Sequence, residues 1–198
     1  MLAFLGHLRQ AIEQLGYAMT CVAGWLFVVC AFFISFDVIS RKFFGFSSQA
    51  TVELTGYTLA FGIAWGLTDA LTTRAHIRVD VLLTRLPVGA RAYMHVLALA
   101  FLVFLGVFFV WRCWAVVGDA WLFGARDSSA LATPLIVPQG LWALGITIFF
   151  LLALVMLLEV LLLLVLRRRG EIDRLLGPRT IEEETAEARK AAAMAGRA

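Results

Sequence analysis

The chain has 198 residues, of which 62% are hydrophobic and 16% charged, with a formal net charge of +3. Soluble domains sit near roughly 45–50% apolar and about 25% charged, so a chain this short cannot enclose so much apolar surface in one core, and most of it faces lipid. The basic excess does not point to nucleic acid, because the basic residues flank apolar runs and so report topology.

Residues 1–15 place Leu5, Leu8, Ile12 and Leu15 at helical spacing, with His7, Arg9, Gln10, Glu13 and Gln14 between them. The pattern predicts an amphipathic helix on the cytoplasmic surface, although a soluble connector can carry the same periodicity. Four apolar runs follow, at about 16–39, 51–71, 92–117 and 137–166. Each reaches the roughly 20 residues that cross about 30 Å of hydrocarbon, and none alternates as a barrel strand would, so four transmembrane helices are expected. The first run is too long for a cleaved signal peptide and reads as an uncleaved anchor. The fourth is long enough to tilt or to project from the bilayer.

Between the second and third runs, Val79, Leu82, Leu83 and Leu86 share one helical face and Arg78, Asp80, Thr84 and Arg85 the other, with Pro87 ending the segment. This reads as a second interfacial piece. After Leu166 the character changes. Arg167, Arg168 and Arg169 stop transfer and can touch anionic lipid. The tail, residues 167–198, becomes Ala/Glu/Arg-rich beyond Pro178, where Thr180 and Glu183 could cap a loose helix in an otherwise disordered stretch.

Arg9, Arg74, Arg78, Arg85, Arg91 and every basic residue from Arg167 onward fall on one side of the runs. Arg41, Lys42 and Arg126 fall on the other, with Arg112 near its edge. Positive residues stay in the cytoplasm, so both termini are expected inside. The predicted fold class is an all-α integral membrane protein with four transmembrane helices, N-in and C-in.

Ionisable groups at membrane depth are costly and usually functional. Asp37, Glu53, Asp69 and Arg112 all fall near helix ends, within snorkelling reach. Glu159 lies about two turns inside the Arg167 cluster and has two readings: a snorkelling or locally paired carboxylate, or a buried polar contact to another subunit. No midplane carboxylate pair or histidine chain marks an ion path. His7, His76 and His95 are too scattered for a bis-histidine haem, and Cys21, Cys30 and Cys113 form no redox or metal motif. There is no HExxH and no phosphate-binding glycine loop. No catalytic activity, cofactor or metal is therefore expected. A stand-alone small transporter or channel, or a haem-carrying anchor, are the alternatives. The first needs a polar lining that the runs lack, and the second needs two facing histidines.

Packing signals are better developed. Gly56, Ala60 and Ala64 recur at four-residue spacing in the second run, beside Gly62, Gly66 and Ala70. Such stripes let helix backbones approach closely, in the bundle's own core or against a partner. Trp25 and Trp65 lie well inside their runs and are expected in the core or against another protein.

Several stretches match a known family in order. Arg41-Lys42-Phe43-Phe44-Gly45 ends the first hairpin and Glu53-Leu54 opens the second run. Gly62 to Gly66 leads to Arg74-Ala75-His76-Ile77-Arg78-Val79-Asp80 and Leu86-Pro87, and then Thr133-Pro134-Leu135 and Val137-Pro138-Gln139 introduce the fourth run. Up to about Leu166 the chain resembles the small, DctQ-like permease subunit of the tripartite ATP-independent periplasmic (TRAP) transporters. The resemblance implies two protein partners: a large M-type permease subunit that holds the solute and sodium sites, and a periplasmic binding protein that delivers an organic acid. The small subunit would then be a scaffold that packs on the large one and widens the docking surface. On that basis Arg74, His76, Arg78 and Asp80 are expected to form a cytoplasmic partner and lipid interface. The arginines would meet lipid phosphates or the large subunit, and Asp80 would accept from a neighbouring Arg or His to fix the loop; a solvated positive-inside loop is the alternative. Asp119, Arg126 and Asp127 are expected to meet the binding protein. The solute is not legible, and dicarboxylates, keto acids and sugar acids all fit.

Overall fold

A computed structural model describes residues 1–48, 50–73, 87–129, 131–177 and 185. The described residues form helices joined by turns: α1 (Leu2–Phe44), α2 (Ala50–Thr72), α3 (Val88–Leu122), α4 (Ile136–Val165) and α5 (Arg169–Leu176). Beyond them there is one isolated antiparallel bridge, between Arg126 and Pro134. Among the described residues three helices, Leu2–Phe44, Gly89–Leu122 and Ile136–Val165, are long and apolar enough to cross a membrane. The 23 residues of α2 have the length, but threonines, glycines, Glu53 and Asp69 dilute its apolar run.

The helices outrun their apolar stretches. The expected boundary between a surface helix (1–15) and the first crossing does not appear as a break, because α1 continues through it for 43 residues, about 64 Å at 1.5 Å per residue. Nothing in the sequence there ends a helix: Gly16 is one permissive residue among good helix formers, and it is used for close approach to Thr68 of α2. α1 ends at Gly45, whose φ of 68° provides the left-handed cap. α5 was not anticipated. It is only 8 residues long, yet Ile172 and Leu176 are buried against Leu71, Ala92 and Leu163.

α4 is the hub. It packs against α1, α2, α3 and α5, whereas α3 packs on α4 and α5. Its most apolar window is 44% buried, against 22% for α3 and 11% for α1. The core accordingly runs along α4 through Leu152, Ala153, Met156, Val160 and Leu163. In lipid the hydrophobic effect cannot press helices together, so contact quality decides. At Gly145 the chain passes so close to α2 that an added methyl would lie 3.0 Å from the Ala64 backbone and 2.6 Å from the Trp65 ring. Two tryptophans lock the layers: Trp65 Nε1 donates to the Leu141 carbonyl at 2.9 Å and Trp114 Nε1 to Thr147 at 3.0 Å. Outward, α1 presents Trp25, Phe32 and Phe36, and α3 presents Phe101, Phe104, Phe108 and Trp111. The outward faces are thus aromatic and apolar on both sides of the hub.

Candidate functional site

The polar chemistry collects at the two ends of this layer. At the end where α1 turns into α2, Asp37 is buried and accepts hydrogen bonds from the Ser48 backbone N–H at 2.6 Å and the Ser47 hydroxyl at 3.2 Å. Asp37 thus fixes the turn that leads into α2, and Ser48 in that turn accepts from the first α2 amides, Ala50 N–H on its hydroxyl and Thr51 N–H on its carbonyl. In the first turn of α2 sits Glu53, also buried. Tyr57, one turn on, donates to Glu53 at 2.9 Å and reaches Asp127 of the α3–α4 loop at 2.6 Å. Ser129 of the same loop donates to the other Glu53 oxygen. The loop and α2 are therefore clasped by charge-assisted hydrogen bonds, which are stronger than neutral ones.

The loop itself is tightly built. The Asp127 amide donates to the Thr133 carbonyl and the Leu135 amide to the Ala125 carbonyl, each at 3.0 Å. Gly124 and Ala132 are both left-handed, with φ of 57° and 47°. For the alanine this costs about 1–2 kcal/mol, which the surrounding bonds must offset. Around this clasp Trp121, Leu122 and Phe123 stand exposed, as do Asp119 and Arg126.

The opposite end is tied by an ion pair. Arg9 of α1 meets Glu159 of α4 at 3.0 Å and Glu13 at 3.0 Å. With 28% and 11% of the Arg9 and Glu159 side chains exposed, the pair is largely withdrawn from solvent. Within this chain Glu159 is thus paired with Arg9.

The remaining sequence candidates divide. Gly62 is buried against the Phe27 ring of α1, and Ala64 is 1% exposed at the Gly145 crossing. Gly56 and Ala60 are exposed, and no atom lies near where a Gly56 or Gly66 side chain would begin. The small-residue stripe therefore splits between an internal seam and an open face. Trp65 belongs to the core, and Trp25 is 73% exposed. Asp127, grouped with Asp119 and Arg126 by sequence, turns inward to Tyr57, whereas Arg126 stays exposed and reaches the Ala132 carbonyl at 3.5 Å. Arg74, His76, Arg78 and Asp80 lie outside the described residues. Sequence reasoning missed Tyr57, Ser129 and the hold of Asp37 on the turn before α2. The Glu53–Tyr57 spacing of four was a signal, but their loop partners are 70 or more residues away. Among the described residues no three His, Cys, Asp or Glu side chains stand close enough together to hold a metal ion. The arrangement holds helices and a loop in place.

Comparison with known proteins adds the family. No curated protein and no solved structure matches the chain. The model of one family, described as "Tripartite ATP-independent periplasmic transporters, DctQ component", matches residues 30–164. That span takes in α2, α3, nearly all of α4 and the clasp of the α3–α4 loop on α2, well over half of the sequence. This is a family of transporter components, not of enzymes, whose members work with a large permease and a periplasmic binding protein. The chain belongs to the DctQ family and is a small, multi-pass membrane subunit of a TRAP transporter.

Proposed function

We propose that this subunit is a non-catalytic scaffold that crosses the inner membrane four times with both termini in the cytoplasm. On this reading it packs against the large permease and helps to dock the periplasmic binding protein during sodium-driven uptake of an organic acid. One observation carries the proposal. Charged residues are absent from Gln14 to Phe36 in α1, from Leu54 to Thr68 in α2 and from Ile136 to Leu158 in α4. A carrier needs ionisable or polar groups at mid-depth, and this chain keeps its own at the ends. Solute and sodium sites then belong to the partner.

α2 is the fourth crossing in this reading. Two of its hydroxyls are satisfied within the helix, Thr55 on the Thr51 carbonyl and Thr72 on the Thr68 carbonyl, and it is packed against α1 and α4. Backbone and side-chain polarity is thereby withheld from lipid. The orientation rests on Arg9, Arg91, Arg167 and Arg168 at one end, against Arg41, Lys42 and Arg126 at the other. Arg74, His76, Arg78 and Asp80 then fall on the cytoplasmic side, for lipid phosphate or the large subunit, and Asp119 and Arg126 on the docking side. Gly56 and Ala60 mark a face on which a second helix can approach closely.

The test is reconstitution. Proteoliposomes containing this chain and the large permease should take up solute only with sodium and the binding protein, and omitting this chain should abolish uptake. Uptake by this chain alone, or its recovery from native membranes without a large permease, would overturn the proposal.

A further inference from the structure

The α3–α4 loop is held to α2 at one place, where the Tyr57 phenol lies between the Glu53 and Asp127 carboxylates and Ser129 bonds the other Glu53 oxygen. We infer that Tyr57 is a positioning residue for docking: its hydroxyl fixes the loop from Phe123 to Leu135 in the conformation that presents Arg126 to the binding protein. The inference rests on the docking role proposed above and names the side chain on which that role depends.

Three features lead to it. First, the clasp joins segments far apart in the chain, Tyr57 to Asp127 at 2.6 Å and Ser129 to Glu53, so it adds long-range order that α2 alone does not need. Second, the loop contains a left-handed alanine, Ala132, whose carbonyl accepts from Arg126. Strained backbone persists only where the surroundings over-determine it, and here the Tyr57–Asp127 bond lies directly beside the bonded pair Asp127 N–H to Thr133 carbonyl. Third, Asp127 is turned inward while its neighbour Arg126 is exposed. Holding the one aims the other. A loop that visits its presenting conformation only part of the time weakens apparent affinity in proportion, without touching the transport step.

The experiment uses the whole reconstituted transporter, with uptake measured against binding-protein concentration. Tyr57→Phe removes the hydroxyl and keeps the ring. It should raise the half-saturating binding-protein concentration about 3- to 10-fold at unchanged maximal uptake. Hydrogen exchange at the Asp127 and Leu135 amides should quicken. Asp127→Asn, which keeps an acceptor oxygen, should stay near wild type, whereas Asp127→Ala should match Tyr57→Phe and the double variant should be no worse than either. Arg126→Ala tests docking separately, and should raise half-saturation with the Tyr57–Asp127 bond still in place. If Arg126→Ala raises half-saturation and Tyr57→Phe does not, the positioning role is wrong and docking stands. If neither variant moves it, nor Asp119→Ala, the docking reading itself fails. A Tyr57→Phe variant that lowers maximal uptake or loses the large permease would show a general structural role and overturn the inference.

Discussion

Gly145→Ala probes a crossing at which α4 passes close to the α2 backbone. The added methyl would meet the Ala64 backbone carbon and Cβ at 3.0 Å and the Trp65 ring at 2.6 Å. Backbone cannot rotate away, so α2 and α4 must separate. Overpacking of this kind costs about 1–3 kcal/mol. Separation also stretches the 2.9 Å bond from Trp65 to the Leu141 carbonyl, and such bonds in membranes are worth about 0.6 and at most roughly 1.7 kcal/mol. The total expected loss is about 1.5–4 kcal/mol. Gly56→Ala is the internal control: it meets open space on the same helix pair, so it should be neutral or gain up to about 1 kcal/mol in helix propensity. Steric-trap unfolding of the subunit in detergent would give both values on one scale. Equal stabilities for the two variants would refute the claim that the Ala64–Gly145 seam, rather than general apolar contact, holds α2 to the hub.

Other consequences follow from the ends of the layer. Arg9→Ala leaves the Glu159 carboxylate largely withdrawn from water and should cost about 2 kcal/mol, while Arg9→Met with Glu159→Leu should recover most of it; a double variant as unstable as the single would argue against the pair. Asp37→Ala removes the acceptor for the Ser48 amide and should cost about 1–2 kcal/mol, with faster hydrogen exchange confined to the start of α2. Reporter fusions should find the loop at Arg126 outside and the connection at Arg78 inside; the reverse would sink the proposed orientation.

The sequence made α1, α3 and α4 legible because a run of about 20 apolar residues has few alternatives in water. Their ends were less legible, since nothing but a cap stops a helix once it leaves hydrocarbon: α3 extends to Leu122 and α1 to Phe44, past the last apolar stretch in each case. Ile172 and Leu176 gave a one-turn apolar pair, too short a signal to separate a packed helix from a tail. Asp127 was read as surface because a loop carboxylate is solvated by default, and its partner on α2 is set by tertiary packing alone. Glu159 was recognised as out of place, but Arg9 lay too far away in sequence to be named.

The unbroken length of α1 has a mechanical side. A rod of about 64 Å magnifies rotation: a tilt of about 10° displaces one tip against the other by roughly 11 Å. Beside its packing on α2, its charged restraints stand toward its two extremities, at Arg9 and at Asp37, where a tether resists leverage best. A moving neighbour would therefore push against a strut braced at both ends, and the subunit would pass that load between the two faces of the membrane instead of bending under it.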